Sequence, residues 1–314
     1  MRVLRTAVIG VGYLGNFHAQ KYAAIPGVEL VGVVDNDAAR ASEIASALGT
    51  TPYSDHHALI GKVDAVSVVV PTQLHHLVAR DFLAAGVHVL IEKPITVTLA
   101  EADELIAIAD DKKLVFQVGH LERFNPVLVA LEGVLKQPLF IESVRIAPFK
   151  PRGTDVNVVL DLMIHDIELI QHIVKSPVDR IDAVGAPVFT GEEDIANARI
   201  VFLNGCVANV TASRISLKSE RKMRIFQRDA YLTLDFQNRK VLVAQKGSGE
   251  LFPGVPNVKV EERELGQSDA LLHEIESFIA AIREGKPPQV SGRDGKMALE
   301  TALKINESLN RIPT

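Results

Sequence analysis

Short apolar, β-branched runs alternate with longer stretches of helical periodicity over the first 120 residues of the chain. The run VSVVV at 66–70 is apolar at almost every position, which is typical of a strand covered by helices on both faces of a sheet. This alternation predicts βαβ units and a parallel sheet. We expect strands at 6–9, 29–35, 65–70, 88–92 and 115–118, and helices at 14–24, 38–48, 76–85 and 99–110.

The pattern changes after residue 120. A helix over 125–135 and a strand over 140–146 are predicted before a long helical segment at 157–174, and from residue 179 the chain is rich in β-forming residues. Asn204-Gly205 between two such runs is a strong hairpin signal. We expect strands at 181–188, 196–203, 207–213, 224–227, 231–236 and 240–244, and closing helices at 269–284 and 294–309.

These elements predict an α/β chain of two domains. Residues 1–120 form a Rossmann domain with a doubly wound parallel sheet, and residues 121–314 form an α+β domain with a mostly antiparallel open sheet. A chain of 314 residues is long enough for two cores. We expect the second domain to bind substrate and, through the helix-free face of its sheet, to join subunits.

The amino-acid composition excludes several classes of binding partner. The chain is 47% apolar and 23% charged with a net charge of −5, so it has neither the composition of a disordered protein nor the basic surface that binds nucleic acid. No apolar run approaches the ~18 residues of a membrane span. Cys206 is the only cysteine, which excludes an internal disulfide and favours a reducing compartment. We expect a cytoplasmic protein that binds small molecules.

A glycine-rich loop follows the first predicted strand. The sequence GVGYLG at 10–15 has the GxGxxG spacing, and Asp35 ends the second strand 20 residues further on. Such a loop brings the backbone and a helix N-terminus to a pyrophosphate, and such a carboxylate accepts hydrogen bonds from a ribose. The expected cofactor contacts are Gly10, Gly12, Tyr13, Leu14, Gly15 and Asp35.

Asp35 also bears on the choice of cofactor. A carboxylate at this position repels the 2′-phosphate of NADP, and Asn36-Asp37 supply no compensating arginine. Arg40 is close enough in sequence to keep NADP open. We expect NAD.

Two further motifs carry titratable groups. Lys93 lies in Glu-Lys-Pro at the carboxyl end of a predicted strand, either beside a nicotinamide or as a solvated surface lysine. Asp161 and His165 are four residues apart in a helical stretch, so the carboxylate can orient the imidazole. Glu168 and His172 extend this stripe, which favours a solvated helix face for those two residues.

Other reactive residue types lack a recognisable pattern. His56-His57 and His75-His76 have neither HExxH spacing nor cysteine partners, so we expect no metal site. Ser213 and Cys206 fall within predicted strands without an evident base, and we interpret them as packing residues.

The ordered set of motifs resembles the Gfo/Idh/MocA family of NAD(P)-dependent sugar oxidoreductases. The set comprises GVGYLG at 10–15, PTQLHH at 71–76, EKP at 92–94, GH at 119–120 and DxxxH at 161–165. The resemblance implies that Lys93, Asp161 and His165 converge on the substrate carbon beside the nicotinamide. It also implies that Pro71, Thr72, His75, Glu92 and Lys93 line the cofactor, and that the subunits form homodimers or homotetramers.

A narrower resemblance concerns the substrate. GHLERFNP at 119–126 and the stretch at 151–169 are similar to the branch that oxidises UDP-N-acetylglucosamine at C3, giving a 3-keto sugar for the 2,3-diamino sugars of lipid A. Arg123, Asn125, Lys150 and Arg152 then become candidate contacts for the pyrophosphate or sugar, since arginine offers forked donors to phosphate oxygens. Each of them is alternatively an ordinary surface group.

The resulting hypothesis is a dehydrogenase that passes a hydride from a secondary sugar hydroxyl to NAD. His165, oriented by Asp161, takes the hydroxyl proton and Lys93 polarises the oxygen, although Lys93 and His165 can exchange these roles. The alternatives are a dehydrogenase of a free sugar or polyol such as inositol, a keto-sugar reductase, and a non-catalytic dinucleotide-sensing regulator.

Overall fold

The computed structural model describes residues 2–150 and 156–309. The chain divides into two compact units. The first comprises Met1–Phe124 with Asp269–Leu299, and the second comprises Asn125–Ser268 with Glu300–Thr314. Each unit is built on its own sheet.

The first unit contains a six-stranded parallel sheet in the order β3-β2-β1-β4-β5-β6. This is the doubly wound order of dinucleotide-binding folds, and it confirms the predicted Rossmann domain. All four residues of β4 are buried, as its uninterrupted apolar sequence predicts. The strands are β1 Leu4–Ile9, β2 Val28–Val34, β3 Thr51–Tyr53, β4 Ala65–Val68, β5 His88–Glu92 and β6 Phe116–Gly119.

The helices that cover this sheet begin and end at residues suited to those positions. Thr98 and Glu101 form a capping box at the start of α4, and Gly49 ends α2 in the left-handed conformation with φ +66°. Asp37 caps α2 by accepting from Ala39 and Arg40. The helices are α1 Tyr13–Ala24, α2 Ala38–Leu48, α3 His75–Ala84 and α4 Leu99–Asp111.

A helix from the far end of the sequence belongs to this first unit. In α7, Ala270–Glu284, the side chains of Ile275 and Phe278 are fully buried in the same hydrophobic cluster as Tyr22. Burying each such side chain contributes about 2 kcal/mol. The predicted single boundary after residue 120 therefore differs from the structure. Because of these apolar contacts, Asp269–Leu299 belongs to the first unit.

The second unit contains an eight-stranded sheet in the order β14-β13-β12-β11-β7-β10-β9-β8. Only the β7–β10 pair is parallel, so the sheet is mostly antiparallel, as expected. The Asn204-Gly205 turn joins β9 to β10 as predicted. The strands are β7 Phe140–Ile146, β8 Val178–Ala186, β9 Ile195–Phe202, β10 Val207–Ser213, β11 Glu220–Phe226, β12 Ala230–Asp235, β13 Lys240–Phe252 and β14 Val255–Glu264.

The helices of the second unit depart from the sequence pattern in one place. The helix predicted over 125–135 is wrong beyond its first turn, because α5 spans only Pro126–Val129 and Gly133 takes a φ of +77° that no helix accommodates. The long segment is confirmed: a π-helical turn at Val159–Met163 leads into α6, Ile164–Val174. The last helix, α8, spans Gly292–Leu309, and only its residues from Glu300 onward belong to the second unit. Within the described ranges, no helix is both long enough and apolar enough to cross a membrane.

Candidate active site

The glycine-rich loop leaves β1 through two positions where a side chain does not fit. Gly10 has a φ of +87°, and a Cβ there would lie 2.5 Å from the carbonyl oxygen of Val69. A Cβ on Gly15 would lie 1.8 Å from the carbonyl oxygen of Gly10. The loop therefore turns sharply and α1 packs close beneath it, which is the geometry that presents backbone N–H groups to a pyrophosphate.

Gly12 has the opposite environment, because a Cβ placed on it would meet no atom within 4 Å among the described residues. This residue directly precedes α1, whose first N–H groups are the natural donors to an anion. An open cradle in front of a helix N-terminus, at the carboxyl end of a parallel strand, fits the pyrophosphate of a dinucleotide. Tyr13 is exposed and Leu14 is half-buried beside it.

Asp35 is tied to the same loop. One carboxylate oxygen accepts from the backbone N–H of Val11 at 2.8 Å and the other from that of Asp37 at 3.0 Å, so the side chain is oriented before any ligand binds. Each oxygen keeps a further lone pair for a ribose hydroxyl. Arg40 lies against this loop as well, since its Nε donates to the Val11 carbonyl oxygen and its guanidinium pairs with Glu43.

Substituting Gly12→Ala tests the cradle. Because the added methyl group meets nothing in the folded protein, we expect the Tm without cofactor to be unchanged. The same methyl group takes the space next to the pyrophosphate, so the Kd for NAD should rise at least about tenfold, which is ~1.4 kcal/mol. Calorimetric titration with NAD measures it, with Gly266→Ala, another open position, as the matched control. Equal NAD affinity in the two variants would place the cofactor elsewhere.

The loop after β4 contains the predicted contacts Pro71, Thr72 and His75. Pro71 is exposed and Thr72 is half-buried. The His75 ring is almost fully buried, and its two nitrogens lie 2.9 Å from the carbonyl oxygens of Val70 and Pro94. Burial lowers the pKa of His75. The ring therefore connects the loop after β4 to the Glu-Lys-Pro turn, a position from which it fixes the shape of both.

The Glu-Lys-Pro turn follows β5, and its Lys93–Pro94 peptide bond is cis. The Lys93 side chain is half-buried, and its backbone N–H donates to the Glu92 carboxylate at 3.3 Å. His120, just after β6, is fully buried, and burial together with the charges of Lys93 and Arg123 lowers its pKa to about 3. A neutral imidazole thus lies close to the Lys93 ammonium group.

Asp161 and His165 lie in the second unit, at the start of the long helical segment. Asp161 belongs to the π-helical turn and His165 to the first turn of α6, and both side chains are half-buried. π-Helical turns are rare and frequently occur at functional sites. The neighbouring Asp166 is buried in an ion pair with Arg145 on β7, at 2.6 Å, which fixes this part of α6 on the sheet.

The solvated face predicted for Glu168 and His172 is only half correct. His172 is exposed, but Glu168 is 2% exposed. The prediction is wrong for Glu168 because α6 is buried around most of its circumference, so its polar positions are not all directed to solvent.

The four predicted substrate contacts differ in accessibility. Arg123 is 7% exposed, and its guanidinium donates to the carbonyl oxygen of Gln289. Asn125 caps α5 by accepting from the Val127 N–H at 3.1 Å. Lys150 is exposed, and Arg152 lies outside the described residues.

The structure adds polar residues that the sequence motifs did not single out. His18 is fully buried on α1, and its Nε2 lies 3.2 Å from a Glu92 oxygen. Glu274, fully buried on α7, brings a second carboxyl group to the same place, where one ligand-type atom each of His18, Glu92 and Glu274 lie within 4.8 Å of one another. The available signal was the four-residue spacing of His18 and Tyr22, which puts both on the buried side of the first helix.

The His56-His57 pair also has a defined environment. Both Nε2 atoms lie 3.1–3.2 Å from the same Asp81 oxygen, and Asp55 is 2.7 Å from Nδ1 of His57. The Asp55 carboxylate raises the pKa of His57. Hydrogen bonding to two carboxylates accounts for this arrangement.

One surface concavity of the first unit lies away from the glycine loop. Its volume is about 1070 Å³, and it opens at the amino ends of the strands, where Arg5 pairs with Asp64. Ligands of open α/β sheets bind at the carboxyl ends of the strands. This concavity is therefore not the predicted cofactor site.

Comparison with protein families defines the class. Residues 4–120 match the oxidoreductase family with an NAD-binding Rossmann fold, and residues 147–233 match the GFO/IDH/MocA C-terminal domain. The chain belongs to this family of NAD-binding oxidoreductases, as the motifs predicted, and its cofactor is NAD.

Individual relatives refine the comparison. The chain is 44% identical over 304 residues, 96% of each chain, to the UDP-N-acetylglucosamine 3-dehydrogenase of Acidithiobacillus ferrooxidans. A crystal structure of that enzyme superposes with a TM-score of 0.93 over 98% of both chains, at 42% identity. Myo-inositol 2-dehydrogenase of Thermotoga maritima is 26% identical over 98% of this chain and 96% of its own.

Proposed function

We propose that this protein oxidises the C3 hydroxyl of UDP-N-acetylglucosamine to a ketone, using NAD. The observation that carries the proposal is the 44% identity, over nearly the whole of both chains, to an enzyme of that activity. The inositol dehydrogenase is far more distant at 26% identity, which favours the nucleotide sugar over a free polyol. The expected product is the 3-keto sugar that an aminotransferase needs to make a 2,3-diamino sugar.

The chemistry requires a base and a cation at the reacting oxygen. When bound, NAD supplies the acceptor for the hydrogen and electron pair that leave C3. We assign the base to His165, which takes the hydroxyl proton as the C–O bond becomes a carbonyl, and we assign its orientation to Asp161. The Lys93 ammonium group polarises the same oxygen, and the alternative assignment exchanges the roles of Lys93 and His165.

The residues around the cofactor divide into direct contacts and supports. Direct contacts are proposed for Gly10, Gly12, Tyr13, Leu14, Gly15, Asp35, Pro71, Thr72, Glu92 and Lys93. His75 holds the two loops from behind, given its contacts with two backbone carbonyl oxygens. Such supports keep reacting groups in place, which matters because small displacements of a reacting group slow catalysis strongly.

The UDP diphosphate needs cationic donors, and Lys150 and Arg152 are proposed to provide them. Exposure of Lys150 supports this role. For Arg123 and Asn125, the contacts with Gln289 and Val127 favour a role in holding the backbone near the substrate. In addition, the charge of Arg123 contributes to a positive potential around His120.

A substrate panel tests the proposed function. The protein is incubated with NAD and, separately, with UDP-N-acetylglucosamine, free N-acetylglucosamine, glucose and myo-inositol, while nicotinamide absorbance is followed. We expect rapid reduction of NAD only with the nucleotide sugar. Faster reduction with inositol or a free sugar would overturn the substrate assignment, and NAD binding without turnover on any substrate would indicate a regulator.

The oligomeric state and the surface that forms it are part of the proposal. We propose a homodimer or homotetramer joined through the outer face of the second unit's sheet. Buried and half-buried residues alternate along β7. Half-buried Phe140 on β7 begins an aromatic row that continues through Phe226 on β11 and Tyr231 on β12, and the neighbouring ring centroids are 5.6 and 4.9 Å apart. Aromatic clusters of this kind are common in subunit interfaces.

The substitution Phe226→Glu tests this interface. A carboxylate in the middle of the aromatic row is costly to bury, so we expect the protein to dissociate into monomers, measured by light scattering after size-exclusion chromatography. Leu217→Glu, at a fully exposed position, is the control and should leave the oligomer intact. A monomeric wild-type protein, or an unchanged mass for Phe226→Glu, would contradict the proposed interface.

We also propose a cytoplasmic location. The support is the single cysteine, Cys206, which is buried and whose pKa is raised to about 11 by that burial. Such a thiol neither forms a disulfide within the chain nor acts as a nucleophile.

A further inference from the structure

A chain of buried polar groups lies beneath the Glu-Lys-Pro turn. The Tyr22 hydroxyl is 2.9 Å from Oγ of Ser67, which is 3.1 Å from Nδ1 of His18. Nε2 of His18 is in turn 3.2 Å from Oε1 of Glu92. Tyr22, Ser67 and His18 are fully buried. The core therefore contains three polar side chains at positions where apolar side chains would have a lower desolvation cost.

The direction of these hydrogen bonds follows from the tyrosine. Burial raises the pKa of Tyr22, so its hydroxyl keeps its proton. Among the described residues Ser67 is its hydrogen-bond partner, so the phenol donates to Ser67, and the serine hydroxyl donates to Nδ1 of His18. The His18 proton then lies on Nε2 and is donated to Glu92. A neutral imidazole satisfies every group in this chain of contacts.

Glu92 is held from several sides. Oε1 accepts from His18, Oε2 accepts from the backbone N–H of Lys93 at 3.3 Å, and the carboxylate side chain is only 14% exposed. A Cβ on Gly119 would approach Oε1 to 2.9 Å, so glycine on the adjacent strand leaves the space that the carboxylate occupies. These contacts fix the carboxylate directly behind the lysine.

The second carboxyl group of the cluster is in a different state. Glu274 is fully buried, and within the described parts of the chain no donor reaches either of its oxygens. Burial, reinforced by the charge of Glu92, raises the pKa of Glu274 well above its ordinary value. A neutral carboxyl group on Glu274 removes the repulsion that two carboxylates at this distance would have.

We propose that His18 and Glu274 are positioning residues that keep a single negative charge on Glu92 behind Lys93, His18 by donating a fixed hydrogen bond and Glu274 by staying neutral. The titratable and charged groups facing this cluster are Tyr22 from α1, Lys93 from the turn after β5 and Glu274 from α7. The effect on turnover rests on the proposed function, whereas the charge arrangement does not.

The His18 tautomer can be observed directly. In protein labelled with ¹⁵N-histidine, with the His18 signals assigned by their loss in His18→Gln, we expect the signals of the Nε2–H tautomer. A ring that carries a proton on Nδ1, alone or together with Nε2, would overturn the proposed hydrogen-bond direction. Displacement of the Nε2 proton by added Zn²⁺ would assign the cluster to a metal instead.

The neutral state of Glu274 has its own test. An acid whose folded pKa is raised stabilises the fold fully below its unfolded pKa and loses that contribution as the pH rises. Glu274→Gln removes this loss, so its Tm relative to wild type should increase steadily as the pH rises above about 4.5, the ordinary value for glutamate. Glu276→Gln, at an exposed position of the same helix, should give a pH-independent difference. A pH-independent difference for Glu274→Gln as well would show that this group is ionised.

The positioning role is tested by a split between kcat and KM. His18→Leu should lower kcat at least about tenfold with little change in the sugar KM, because the Glu92–Lys93 geometry is lost rather than the substrate contacts. His18→Gln, whose amide can donate to Glu92 and accept from Ser67, should recover most of that loss. Equal kcat values for His18→Leu and wild type would contradict the role. Full activity of Lys93→Met, together with the Nε2–H tautomer of His18, would contradict the proposed function. The same result would still support a single negative charge on Glu92.

Discussion

Replacing Lys93 with methionine is expected to abolish turnover while NAD binding and the fold are kept. Methionine preserves the length and apolar stem of lysine but removes the ammonium group that we place at the reacting oxygen. General acid–base groups contribute about 10²–10⁴-fold to a rate, so kcat should fall by at least about 10²-fold. The measurement is steady-state reduction of NAD with UDP-N-acetylglucosamine, accompanied by calorimetric titration with NAD.

Lys112→Met is the matched control for this substitution. Lys112 is an exposed residue at the end of α4, and the same change there should leave kcat and KM unaltered. Undiminished turnover in Lys93→Met would remove Lys93 from the reaction. Loss of NAD affinity together with turnover would leave Lys93 as a cofactor contact alone, without a role at the reacting oxygen.

The substitution Asp194→Asn is expected to cause the largest loss of stability. Asp194 is completely buried and accepts from three backbone N–H groups, from the Thr190 hydroxyl and from the Arg214 guanidinium at 2.8 Å. Asparagine leaves Arg214 charged and buried without its carboxylate and turns an amide group towards donors. Breaking a buried ion pair on one side costs about 3–5 kcal/mol, which chemical denaturation measures.

The stability difference between wild type and Asp194→Asn should depend on pH. Burial by itself would raise the pKa of Asp194. The hydrogen bonds from Arg214 and from backbone N–H groups outweigh this effect and hold the pKa of Asp194 well below its ordinary value. A carboxylate with a lowered pKa stabilises the folded protein at pH values above its unfolded pKa of about 3.8, and this stabilisation is lost as the pH falls below that value. The difference in free energy of unfolding between wild type and Asp194→Asn should therefore become smaller in acid. Asp182→Asn is the control, because the Arg180–Asp182 pair is exposed and exposed pairs contribute little. Equal stability losses in the two variants would contradict this account.

The same ion pair lies close to the helix that bears the proposed base. Arg214 donates to the carbonyl oxygen of Val156 at 2.7 Å, and Val158 donates to Glu193, next to Asp194. Both contacts fix the chain just before the π-helical turn that contains Asp161. The fraction of Asp194→Asn that remains folded should therefore have a lower kcat than wild type.

Local signals predicted much of the fold. The GxGxxG loop and the Asn204-Gly205 turn each involve neighbouring residues, and both are found as expected. The family and the cofactor followed from motifs of the same kind. What these patterns share is that the residues that impose the geometry lie within a few positions of one another.

Elements stabilised by distant partners were missed. β14 has ten exposed residues with several charges, and it is a strand only because its backbone pairs with β13. The place of α7 depends on contacts with helices and strands from the other end of the sequence. Likewise, Glu274 meets Glu92 across 182 positions of the chain, a distance over which spacing rules carry no information.

The candidate site divides in the same way. The sequence singled out Lys93, Asp161 and His165 by motif, but it gave no reason to consider His120 beside Lys93 or the buried network around His18. Buried polar residues are defined by what surrounds them, and the surroundings come from four separate strands and helices. The burial of Glu168 was mispredicted for the same reason.

The destination of the hydrogen on C3 shows directly whether this protein transfers a hydride from the sugar to NAD. UDP-N-acetylglucosamine carrying deuterium only at C3 is incubated with the protein and NAD, and the reduced cofactor and the sugar product are analysed by mass spectrometry. We expect one deuterium in the reduced nicotinamide and a 3-keto sugar without deuterium. Reduced cofactor without deuterium, formed beside a sugar that retains deuterium at C3, would contradict oxidation at C3.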